Sequence, residues 1–397
     1  MESVRKREVL TPILIALPSL GLGLSWNMKS TVLTLLVKTV TPSDFKLGLI
    51  TAIGPVAGMI FPYLSGVISD RTNFKIGKRK PWVLLGGCLG SIFLFLFGFS
   101  PNYIVLFLLT FGIYSSLNFL QGSYYSWMPE AVKSNQVGTV NGLGKLCYSL
   151  GGTILFFAGV YLFYINKELP FILILSCIMI PVLAVCFFVK EENAHVKQKS
   201  KLSFDFLKNK RAMRVFMTAF FFYIAYGLMT PFWIPYYEKY NNFTSSQISL
   251  ALTSFTLIGL FLSLFIGLWC DKWKKQYIFF IACIIYAIAF IIGWNVSNIL
   301  MLWIFAIIFG TGFVIMQVVF YALIPEVAPK EKIGEYMGIN NIFLCIPQII
   351  SSVLGGYLLD IEKGYLIFPI AIASIVVASI IIGVGKIENN NVNYNLK

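Results

Sequence analysis

The chain has 397 residues, of which 58% are hydrophobic and 12% charged, with a mean hydropathy of +0.80. A soluble globule of this length cannot bury so much apolar surface, so a water-soluble fold is excluded and most of the chain belongs in lipid. The formal net charge of +14 does not mark a nucleic-acid binder, because of where the 31 Lys and Arg fall. Lys38, Lys46, Lys167, Lys239 and Lys363 lie in one set of loops, Lys29 and Lys145 lie inside apolar runs, and all the others crowd the alternate loops and termini. That is the positive-inside bias, with attraction to anionic lipid, and no nucleic-acid partner is expected.

A bilayer core of ~30 Å takes about 20 apolar residues per helix. Twelve such segments can be marked: 12–37, 46–69, 81–99, 103–128, 138–163, 170–189, 214–237, 247–270, 276–294, 299–324, 334–357 and 365–385. The expected fold is therefore an all-α polytopic membrane protein with 12 transmembrane helices. The opening stretch MESVRKREVL is basic. The apolar run after it is too long for a signal h-region and lacks a small-residue cleavage site, so it reads as a first span with Arg5, Lys6 and Arg7 held inside. An even number of spans puts both termini on one side, the cytoplasmic side by the charge bias, in a multi-pass protein of the cell membrane. The opposite loops are too short for an extramembrane domain.

Between the second and third segments, Gly66 to Trp82 (GVISDRTNFKIGKRKPW) is a dense basic loop: Asp70-Arg71, then Lys75, Lys78, Arg79 and Lys80, then Pro81 opening the next run. A weaker copy, GLWCDKWKKQY, spans Gly267 to Tyr277. Gly66, Asp70 and Arg71 recur 201 residues later as Gly267, Asp271 and Lys272. Trp127-Met128-Pro129-Glu130 recurs 196 residues later as Leu323-Ile324-Pro325-Glu326, and Gly138 and Gly142 recur as Gly334 and Gly338 at that same offset. Between the copies, Lys190 to Arg214 is the longest polar connection, with eight basic residues; its Leu202, Phe204, Phe206 and Leu207 suggest a short helix on the inner membrane surface. The chain thus divides into a six-helix bundle over 1–189, a basic cytoplasmic linker over 190–213, and a second, pseudo-symmetric bundle over 214–397. Parallel repeats of six helices are the architecture of carriers that hold substrate near mid-membrane and rock around it.

Gly66-x-x-x-Asp70-Arg71 followed by basic residues resembles the signature of the major facilitator superfamily. Ser69-Asp70-Arg71, then Gly77-Lys78-Arg79-Lys80-Pro81-Trp82, resembles the corresponding run of its glycoside–pentoside–hexuronide:cation symporters, most of all plant-type sucrose carriers and their animal and microbial relatives. Gly23, Trp26, Gly54-Pro55, Gly58 and Pro62 look like that family's pattern in helices 1 and 2. Gln121-Gly122 is similar to its helix 4, and Gly338, Asn341 and Ile346-Pro347-Gln348 to its helix 11. The resemblance implies the major facilitator fold and a proton-coupled carrier of sucrose-like or other glycosides. There are departures. Sucrose carriers place an arginine just after Gln-Gly in helix 4, where this chain has Tyr124 and Tyr125; the paired helix 2 aspartates of melibiose-type carriers have no counterpart between Leu47 and Ser69. Sodium coupling by that route is not expected, and proton coupling lacks its usual acid.

Two sets of candidate residues follow. Asp70, Arg71, Arg79, Glu130, Asp271, Lys272 and Glu326 would form a cytoplasmic gate, with Asp70 taking a cation or facing the N-terminus of helix 11, and Glu130 and Glu326 taking basic partners from the loops. The bland alternative is that these charges only set topology. For substrate, Lys29 sits near the middle of helix 1, an expensive position that points to function, against the alternative of a lysine snorkelling to the interface. Trp26, Asn118, Gln121, Tyr226, Gln317, Tyr321, Asn341 and Gln348 would offer amides and hydroxyls to sugar hydroxyls and aromatic faces to their C–H surface, with Tyr223 and Trp233 as further candidates. Asn and Gln also tie helices together, and most aromatics pack. His195, the lone histidine, sits in the central loop and is read as solvated. The seven cysteines lie in or at the ends of apolar runs without metal-like spacing, so no cofactor or metal is expected. Together with what the resemblance implies, the expected function is a monomeric secondary carrier moving a sugar or glycoside by alternating access with a proton. An uncoupled facilitator and an organic-anion carrier using Lys29 stay open, and a polytopic enzyme is the remote rival.

Overall fold

The computed structural model describes residues 10–72, 74–133, 136–189, 191, 205–329 and 332–384, without the side chains at 205, 264, 267–272, 333 and 334. Among the described residues twelve helices are long and apolar enough to cross a membrane. We number them α1 (Leu10–Ser30), α2 (Asp44–Arg71), α3 (Lys80–Phe97), α4 (Tyr103–Glu130), α5 (Val137–Ile165), α6 (Leu169–Phe188), α7 (Lys210–Asn241), α8 (Ser245–Lys272), α9 (Lys275–Trp294), α10 (Ile299–Val327), α11 (Ile333–Asp360) and α12 (Gly364–Gly383). His195, Leu202 and Phe204 lie outside the described residues; Phe206 and Leu207 fall in a short 3-10 turn, Asp205–Lys208.

Contacts divide the chain into two compact units. One takes Ser43–Ala52 and Gln198–Lys397, the other Met1–Pro42 and Ile53–Lys197, in their described parts. In the first half α1 packs on α5 and α6, and α3 on α4 and α6; in the second, α7 packs on α11 and α12, and α9 on α10 and α12. Each pairing therefore has its counterpart six helices on: the repeat seen in sequence landmarks is a repeat of packing, two six-helix bundles in pseudo-symmetric order.

Local devices repeat as well. Asn102 caps α4 by accepting from the Val105 N–H at 3.1 Å, and Asn298, 196 residues later, caps α10 by accepting from the Met301 N–H at 3.0 Å. The first apolar segment of each half, 10–40 and 210–241, loses α-helical form about two thirds of the way along. In α7 a 3-10 turn over Thr230–Phe232 follows from Pro231, which has no N–H to give the helix ladder. In α1 the turn is Met28–Ser30, and Thr31 leaves helical conformation (φ −140°, ψ −100°) before a short helix Val32–Val40 resumes. No proline explains it; the Thr34 hydroxyl donates to the Lys29 carbonyl at 2.8 Å, satisfying an acceptor that the break would orphan.

Residues 43–52 join the second unit through small residues and one carboxylate. Asp360 Oδ2 accepts from the Ser43 hydroxyl, and its Oδ1 from the Asp44 N–H, both at 2.6 Å. Gly48 lies against the Ser352 carbonyl and Gly356 against the Asp44 carbonyl, contacts a side chain would block.

Candidate functional site

The basic loop comes first, because its chemistry is the most constrained. Phe74 to Gly77 closes a tight turn, the Gly77 N–H donating to the Phe74 carbonyl at 3.0 Å, with Gly77 at φ +123°. The turn delivers Arg79 into the protein, where it is 4% exposed. Its guanidinium meets three partners. Nε and Nη2 donate to the Glu130 carboxylate at 3.3 and 3.0 Å, Nη2 also lies 2.6 Å from Asp70 Oδ1, and Nη1 donates to the Ser69 hydroxyl at 2.5 Å. Lys78 Nζ adds a second cation at 3.5 Å from Glu130. A planar fork that grips one carboxylate with two N–H groups suits Arg and not Lys. Arg71, next to Asp70, is exposed and forms no ion pair among the described residues.

Glu191 supports the loop from behind. Its carboxylate accepts from the backbone N–H groups of Lys78 at 3.0 Å, Arg79 at 2.7 Å and Lys80 at 3.2 Å, capping the start of α3. In the second unit, Lys275 at the start of α9 lies 2.5 Å from Glu326 near the end of α10. Lys275 and Glu326 stand 196 residues after Arg79 and Glu130, so this pair is the repeat of the Arg79–Glu130 contact. The side chains of Asp271 and Lys272 lie outside the described residues.

The polar candidates gather in two groups, one per unit. In the first, the Trp26 indole donates through Nε1 to Gln121 Oε1 at 3.0 Å, and its ring lies 5.4 Å from that of Tyr114. Trp26, Lys29 and Gln121 are all partly exposed, and Lys29 lies within the 3-10 turn of α1. Asn118 differs: it is 2% exposed, and its amide donates to the Tyr114 carbonyl one turn back at 2.8 Å, so it serves its own helix.

In the second unit, Tyr226 stacks on Phe313, with centroids 4.6 Å apart and planes at 14°. Tyr223 shares a side-chain hydrogen bond with Gln317 and has Tyr226, Tyr321 and Cys345 as electrostatic neighbours. Cys345 also neighbours Tyr321, and Asn341 and Gln348, four residues before it and three after, share its face of α11. Gln348 Nε2 donates to the Leu344 carbonyl at 2.9 Å. Tyr321 is 44% exposed, whereas Trp233 is 2% exposed among Phe305 and Phe309 and offers no open face. The structure thus brings Tyr226, Gln317 and Tyr321 together with the Asn341–Gln348 face of α11, and Trp26 with Gln121.

Sequence reasoning missed Tyr114, Phe313, Cys345, Glu191 and Lys275. Only the last carried a usable signal, its offset of 196 from Arg79; the others are ordinary apolar-run or loop residues until the packing is known.

The Major Facilitator Superfamily model matches residues 1–156 and 215–390. The General alpha-glucoside permease of Schizosaccharomyces pombe is 26% identical over 245 residues, 53% of this chain and 43% of that one. Sucrose transport protein SUC3 of Arabidopsis thaliana is 29% identical over 102 residues, 25% of this chain and 17% of that one. The matched stretches therefore span less than half of either relative. Among solved structures, the nucleoside transporter NupG superposes with a TM-score of 0.75 at 16% identity, covering 94% of this chain and 98% of that one, a likeness of fold.

Proposed function

Given that the chain belongs to the Major Facilitator Superfamily, we propose that it carries a sugar or glycoside of sucrose or α-glucoside type across the membrane by alternating access, in symport with a proton. The observation that carries the reading is the pairing of amides with aromatic faces in each unit: Trp26 with Gln121 in one, Tyr226 with Gln317, Tyr321, Asn341 and Gln348 in the other. A sugar presents hydroxyls that need amide and phenol partners, and a C–H surface that stacks on aromatic rings. The relatives named for α-glucosides and sucrose support the substrate class.

Lys29 occupies the 3-10 turn of α1, where an interrupted helix gives a cation access to substrate and to water. We assign it to proton coupling or to a substrate hydroxyl. The Arg79 cluster and the Lys275–Glu326 pair are the gate charges of the basic side, which we take as cytoplasmic. In this reading they are remade as the carrier cycles, so their strength sets the balance between its states.

Uptake of labelled sucrose and maltose into proteoliposomes, with and without an imposed inward proton gradient, tests the proposal. Accumulation above equilibrium only with the gradient is expected. Gradient-independent equilibration would reject symport, and transport of gluconate-like anions alone would reject a neutral sugar. Lys29→Gln is expected to abolish accumulation; wild-type uptake in that variant would remove Lys29 from the site.

A further inference from the structure

The basic loop holds two kinds of cation, and only one kind is spent on the gate. Lys78 and Arg79 are compensated by Glu130 and Asp70. Lys75 and Lys80 form no ion pair among the described residues. Both line one cavity of ≈ 440 Å³ beside the ends of α3 and α6. Its other walls are apolar side chains that the fold leaves uncovered: Phe74 is 49% exposed, Ile76 56% and Phe187 80%. Glu191 also borders the cavity and brings one negative charge, with its oxygens held by three backbone N–H groups of the loop, so the two lysines outnumber the one carboxylate. Lys80 is steered by the indole of Trp127, its Nζ 5.8 Å from the ring centroid.

A hollow lined by two lysines and one carboxylate, a net charge of +1, together with aromatic and aliphatic side chains, matches an amphiphile with an anionic head. Its place, where the apolar end of α6 meets the basic loop, is where a bilayer passes from acyl chains to headgroups. We propose that this cavity binds one anionic phospholipid, its phosphate between Lys75 and Lys80 and the upper part of an acyl chain along Phe74, Ile76 and Phe187. The site is separate from the substrate groups and does not depend on which solute is carried. Because Lys78 and Arg79 lie between the two lysines, a bound phosphate would also stiffen the turn that delivers Arg79 to Glu130.

The test uses the full chain, delipidated in detergent, with dioleoylphosphatidylglycerol, dioleoylphosphatidylcholine and inorganic phosphate as separate probes. Bound lipids are counted by native mass spectrometry and thermal unfolding is followed in parallel. One phosphatidylglycerol is expected to bind at least tenfold more tightly than phosphatidylcholine and to raise the melting temperature. Inorganic phosphate at the same concentration should do neither. Lys75→Gln, a change in an exposed turn, should weaken that binding about fivefold, in line with the attraction of one lysine to an anionic surface. Lys75→Gln with Lys80→Gln should remove the preference, while Lys208→Gln with Lys210→Gln should keep it. Equal binding of the two lipids, displacement of phosphatidylglycerol by inorganic phosphate, or an unchanged preference in Lys75→Gln would overturn the assignment.

Discussion

Arg79 is the residue on which the charged end of the first unit depends. It is buried, and it holds Glu130 by two N–H groups while also meeting Asp70 and Ser69. Removing one member of a buried ionic cluster costs about 3 kcal/mol or more, because its partners lose their counter-charge, whereas the half-exposed Asp70 side of the contact is worth under about 1 kcal/mol. Arg79→Gln should therefore lower the melting temperature of the purified protein and cut uptake at least tenfold. Arg79→Lys should recover part of the stability without the bidentate grip. A fully stable, fully active Arg79→Gln protein would reduce the cluster to a topology marker. Gly77 is the second sensitive position. At φ +123° any Cβ is strained, and an alanine there would also press on the Glu191 carboxylate. Gly77→Ala should cost about 1–3 kcal/mol, read as earlier thermal unfolding.

Among the elements, α1 carries the tightest constraints. It meets α5 through glycines on both sides: a Cβ on Gly23 would fall onto the Tyr148 carbonyl oxygen, and one on Gly151 onto the Leu20 carbonyl oxygen. Small residues at such contacts let helix backbones approach, and in lipid that packing is a main source of cohesion. Gly23→Val should thus cost about 1–3 kcal/mol by overpacking, seen as a lowered melting temperature and reduced yield of folded protein. Valine at Gly138, which has open space where a Cβ would stand, should leave the melting temperature within about 1 °C of the parent, since surface substitutions rarely exceed about 0.5 kcal/mol. The interruption at Met28–Ser30 is the element-level feature on which the role proposed for Lys29 rests, since it sets that residue in a stretch with altered backbone pairing. Its counterpart in α7 could be anticipated from Pro231; the α1 interruption could not, because no residue there forbids helix.

Over the whole molecule, the repeat organises everything else. The same helix pairings, the same Asn caps and the same loop-to-helix ion pair occur once in each half. The cytoplasmic side proposed for the basic loops rests on the charge bias, and it can be checked directly. In a cysteine-free background, Lys75→Cys should react with a membrane-impermeant maleimide only in inside-out vesicles, and Lys363→Cys only in right-side-out cells; labelling of both from one face would overturn the orientation. The twelve spans and the duplication were legible in the residues, because each depends on a property local to a segment: the length of apolar chain that crosses a bilayer, and charged landmarks that recur at a constant offset. That Glu130 and Glu326 would take loop cations was also readable, from the landmarks at constant offset. The partners were not. Arg79 finding Glu130 across 51 positions, Glu191 capping a helix that begins 111 residues earlier, Trp26 meeting Gln121, and Asn118 turning inward to its own helix were all decided by packing. A side chain's direction depends on which helices surround it. No periodicity in one strand of sequence can supply that.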